Sequence, residues 1–78
     1  MQISVRAAAL RSAIEQATGE LAHAHPTATG LRITASVPTD CGPERWADIL
    51  KAITVAERWG ATDAAGLTQI WAEIQEDP

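Results

Sequence analysis

The chain has 78 residues with no tyrosine, no phenylalanine, a single cysteine and a single lysine. A lone thiol, Cys41, excludes an internal disulfide, and no ligand cluster suggests a structural metal in its place. No apolar run approaches the roughly 18 residues that cross a bilayer. Residues 1–10 lack a basic segment followed by a long apolar core, so no signal peptide is read. An unpaired thiol fits a reducing compartment, which makes cytoplasm the expected setting. The net charge of −4 speaks against nucleic acid or an anionic membrane as the main partner. A glycine-rich phosphate loop and a Ser/His/Asp constellation are both missing, and no two carboxylates can be placed in one buried site. Expected from these absences are no enzymatic activity, no cofactor and no metal.

What is present reads as one domain over 1–78, with a helix in 1–25 and a strand–helix–strand unit in 31–74. Ala7, Leu10, Ile14, Ala17, Leu21 and Ala24 recur at helical spacing and form one stripe, with Ser4 as N-cap and Gly19 tolerated inside. Met1, Ile3 and Val5 alternate, which also permits a short strand before that helix. Residues 25–30 are turn formers. Leu31, Ile33, Ala35 and Val37 alternate with Arg32, Thr34 and Ser36, as a strand with one packed face. A second helix is predicted from Pro43 to Trp59, with Trp46, Ile49, Leu50, Ile53 and Ala56 as its core stripe and Gly60 as its stop. A small-residue turn over 61–66 leads to a last strand in which Thr68, Ile70, Ala72 and Ile74 alternate with Gln69, Trp71 and Glu73. The fold class is α/β, with α+β as the alternative. The predicted architecture is a two-layer sandwich, (β)-α-β-α-β, with both helices on one face of a two- to three-stranded sheet and a right-handed parallel crossover between the strands.

Apolar content comes largely from alanine, which removes little surface from water. So thin a core makes self-association, as a homodimer, a reasonable expectation. Arginine over lysine and abundant alanine match the coding bias of a GC-rich bacterial or phage genome.

Cys41-Gly42-Pro43 puts a thiol at a helix N-terminus, where backbone amides and the macrodipole favour the thiolate. These residues and the element order resemble the N-terminal half of a thioredoxin-like fold, although Glu44 stands where that family has its second cysteine. The resemblance implies a reactive thiol at Cys41. His23 and His25 flank Ala24 at the predicted frayed end of the first helix. They would share one side only if the backbone were extended, and two imidazoles without a third ligand make a weak metal site.

The tryptophans carry the functional expectation. Trp46 falls on the core stripe, Trp59 at the margin of the polar side of its helix, and Trp71 opposite to Ile70, Ala72 and Ile74. Two helices cover one side of a small sheet, so Trp71 is expected on the open side, either bare or half covered by Arg32 or the C-terminal tail, unless a bulge shifts the phase of the strand. The candidate partner interface is Trp71, Arg32, Thr34, Gln69 and Glu73, with Trp59 beside it. The leading expectation is a small non-enzymatic protein–protein interaction or regulatory module acting through the open sheet face, pairing with itself or a larger protein. The alternative is a thiol-dependent or redox-sensing protein using Cys41. A third reading, a small nucleic-acid-binding regulator, rests on Arg6 and Arg11.

Overall fold

A computed structural model of the chain describes residues 5–38, 42–64 and 67–75. The order is α1 (Val5–Thr18), β1 (His23–Pro26), β2 (Gly30–Val37), α2 (Pro43–Ile53), β3 (Arg58–Ala64) and β4 (Leu67–Gln75). The strands form one sheet, β1-β2-β4-β3, in which every neighbouring pair is antiparallel. The protein is therefore α+β, with two helices layered on a four-stranded sheet.

Alternation along β2 and β4 sends Leu31, Ile33, Ala35, Val37, Ile70, Ala72 and Ile74 to one face, where all are buried. Ala7, Leu10 and Ile14 of α1 and Ile49 and Ile53 of α2 close over them, with Trp46 and Leu50 half-buried at the rim. Pro43 starts α2 just inside the extended Gly42, whose carbonyl accepts the first helical bond from Trp46 N–H at 2.9 Å. Glu44 in the first turn and Lys51 in the last complement the helix dipole.

The junction after α1 is built by specific polar groups. Gly19 adopts a left-handed φ of 73°, and its N–H reaches Glu15 O at 2.8 Å, an αL cap that ends the helix rather than interrupting it. Thr18, fully buried, donates its hydroxyl to Ile14 O at 2.8 Å and accepts from Glu20 N–H at 3.1 Å. Glu15 Oε2 accepts from the N–H of the fully buried Ala22 at 3.0 Å.

Several expectations are corrected. The stripe of α1 stops at Thr18, so Leu21 lies 73% exposed and Ala24 belongs to β1. Helix α2 ends at Ile53, not Trp59. Ile53, Thr54 and Val55 are three β-branched residues in a row, poor helix formers, and the following segment pairs along the free edge of β4 instead. Residues 61–64, expected in a turn, are the second half of β3. Because β3 occupies the connection, β2 and β4 meet antiparallel and there is no parallel crossover. With the crossover goes the element order behind the thioredoxin-like resemblance. Ser4, the alternation over 1–5 before Val5, and Cys41 itself lie outside the described residues.

Candidate functional site: the open sheet face

The helices cover only the side of the sheet that carries Ile33 and Ala72. The other side is assembled row by row from the strand register. His25, Arg32, Glu73 and Arg58 lie in one row across all four strands, and His23, Thr34, Trp71 and Gly60 lie in the next. Ser36, Gln69 and Thr62 make a third row. Five of the six residues expected at the interface, namely Arg32, Thr34, Gln69, Trp71 and Glu73, thus share this face. Trp59 does not. It sits on edge strand β3 opposite Ala72, on the helix side, and is 45% exposed because the helix layer stops short of that edge.

The centre of the face is an ordered cluster. Arg32 Nε donates to Glu73 Oε2 at 2.6 Å, and the Arg32 guanidinium carbon lies 4.7 Å from the centre of the Trp71 ring. A cation over an indole at this distance contributes about 0.5–1 kcal/mol at an exposed site. Arg58 Nη1 approaches Glu73 Oε1 more loosely, at 3.9 Å. Glu73, whose side chain is only 19% exposed, is held between arginines from both neighbouring strands. On its far side the indole lies against Gly60, where an added Cβ would meet Trp71 Cζ2 at 2.8 Å and Cε2 at 2.9 Å. Trp71 is therefore half-buried, clamped between the Gly60 backbone and the Arg32 guanidinium. Among the expectations for Trp71, the one in which Arg32 half covers it holds.

Two arginines and one glutamate give the described part of this face a formal charge of +1, against −4 for the whole chain. Arg6 and Arg11, the support for a nucleic-acid reading, are spent elsewhere. Arg6 Nη2 meets Glu57 Oε1 at 2.6 Å, and Arg11 Nε lies 3.7 Å from Glu15 Oε2. The Arg6 guanidinium holds the Glu57 carboxyl below its ordinary value, and the N–H of Gln75 also donates to it at 3.2 Å.

A rival surface lies on the opposite layer. A groove of about 340 Å³ runs between α1 and α2, walled chiefly by Ala9, Ala13, Ala52 and Val55, with Arg6 and Lys51 at its sides. It lacks convergent polar groups of the kind that orient a small ligand. Among the described residues no group of three or more His, Cys, Asp or Glu is placed to hold a metal ion, and no helix is long and apolar enough to cross a membrane. Comparison with protein-family models, curated proteins and solved structures finds no match to this chain.

The row register was the part of the site that sequence reasoning missed. The pairing of Trp71 with Gly60 had a signal, a glycine flanked by Trp59 and Ala61 in a segment otherwise suited to a strand. It was masked because the same glycine also reads as a helix stop.

Proposed function

We propose that this is a small non-enzymatic protein–protein interaction module, working in the cytoplasm, whose open sheet face pairs with a second copy of the chain or with a larger protein. The observation that carries this reading is the clamped Trp71 at the centre of the uncovered face. Tryptophan and arginine are the residues most enriched at interface hot spots. A side chain already fixed by Arg32 and Gly60 loses less conformational freedom on binding than a mobile one, so more of its contact energy appears as affinity. The polar residues around it, Thr34, Ser36, Thr62 and Gln69, suit the rim of a non-obligate interface. Self-pairing is the form favoured by the alanine-rich core, since a subunit contact adds the apolar burial that the single chain has in short supply.

The test is the solution mass of the wild type and of Trp71→Ala across the micromolar range, with far-UV circular dichroism to verify the fold. The wild type is expected to associate and the variant to remain monomeric with unchanged secondary structure. A wild type that stays monomeric, with a Trp71 environment that no partner offered changes, removes the proposal. A reading through Cys41 gains no geometric support, because that residue lies outside the described segments.

A further inference from the structure

We propose that His23 and His25 form a bidentate site for one divalent transition-metal ion of the imidazole-preferring class, such as nickel, copper or zinc. It does not rest on the interaction reading, and the two histidines lie at the β1 end of the sheet face that carries Trp71. The condition that a helical backbone would have violated is met by strand β1, where the two histidines pair with Thr34 and Arg32 and the intervening Ala24 pairs with the buried Ile33. Both imidazoles therefore project from the same face of one strand, about 6.7 Å apart at the backbone, and both are exposed. Two rings leaning together across that gap can share one ion at metal–nitrogen distances of about 2.0–2.1 Å.

Three further features favour the site. Neither imidazole is hydrogen-bonded or ion-paired to a described residue, so both have ring nitrogens available. The one cation directly opposite, Arg32, is turned toward β4, bonded to Glu73 and stacked over Trp71, and so is drawn away from the histidines. The strand is also held extended, since its hairpin to β2 is closed by Thr27 N–H to Gly30 O at 2.8 Å and Gly30 N–H to Thr27 Oγ1 at 3.0 Å.

The outer edge of β1 stays open. The ladder alternation set by the Thr27–Gly30 bond points the backbone groups of His23 and His25 toward β2, and those of Ala24 and Pro26 outward. Pro26 has no N–H to give, and the N–H of Ala22 is spent on Glu15. An added strand finds few donors there, and because both histidines are exposed the remaining coordination positions of the ion face water in the unpaired chain. Imidazole nitrogen with open positions selects copper, nickel and zinc over magnesium and calcium, which require oxygen.

The test is calorimetric titration of the full chain with nickel chloride, on the wild type, His23→Ala, His25→Ala and Cys41→Ser. Both histidines are exposed, and circular dichroism verifies that each variant folds. Saturable binding in the wild type and in Cys41→Ser is expected, with each histidine substitution weakening it by at least about tenfold and magnesium failing to compete. Absence of saturable binding below about 1 mM, binding that survives either histidine substitution, or binding lost in Cys41→Ser overturns the site.

Discussion

Gly60→Ala is expected to destabilise the protein, although alanine is the better strand residue of the two. The new Cβ would sit 2.8 Å from Trp71 Cζ2, 2.9 Å from Cε2 and 3.0 Å from Nε1, closer than carbon atoms approach without displacement. The indole must lift from the sheet, and its stacking under Arg32 goes with it. Overpacking of this kind costs about 1–3 kcal/mol, and removing a strand glycine returns about 0.5–1, leaving a net loss of up to roughly 2.5 kcal/mol. Urea denaturation followed by far-UV circular dichroism measures it, because tryptophan emission changes with the substitution itself. A double-mutant cycle isolates the cause. In a Trp71→Ala background the same Gly60→Ala change has nothing to strike and is expected to be neutral or stabilising by up to about 1 kcal/mol. If Gly60→Ala is as harmless with Trp71 present as without it, the indole does not rest on Gly60 and the clamped geometry is wrong.

Other expectations follow from single contacts. Gly19→Ala forces a Cβ into a backbone with φ of 73°, 3.2 Å from Arg45 Nη1, and is expected to cost about 1–2 kcal/mol, visible as a fall in Tm of several degrees. Glu15→Ala strands the N–H of the fully buried Ala22 and is expected to cost about 1–3 kcal/mol in urea denaturation, whereas Glu15→Gln keeps an acceptor and loses less. The Arg6 guanidinium holds the Glu57 carboxyl below its ordinary value in the folded protein. Its contribution to stability is therefore present above about pH 4.5 and fades as the pH falls through the lower folded value. Glu57→Gln is expected to flatten that part of the acid limb of a stability–pH profile, and an unchanged limb refutes the Arg6–Glu57 contact.

The parts of the fold legible in the sequence were those where one periodicity had no competitor. Leu31 to Val37 and Thr68 to Ile74 alternate strictly, and both are strands with the expected buried faces. Ile49 and Ile53 recur at helical spacing and lie in the core as expected. Reading failed where one pattern fits two elements. Val55, Ala56 and Trp59 fit the continuation of a helical wheel as well as they fit the approach to a strand, and only pairing with β4 decides between them. His23-Ala24-His25-Pro26 is short and polar, and becomes a strand because β2 offers it an edge. Five candidate interface residues were placed on one face by phase alone, which a period of two transmits along a strand without error. Trp59 was misplaced because it was read in the wrong element.

The most direct measurement is a dilution series of amide and indole N–H spectra from isotope-labelled protein. If the open face pairs copies of the chain, resonances of Arg32, Thr34, Gln69, Glu73 and the Trp71 indole shift together with concentration, while Ala9, Ala13 and Val55 in the groove between the helices stay fixed. Shifts confined to that groove, or none at any concentration with a monomeric mass, contradict the proposal that the clamped tryptophan face is the working surface.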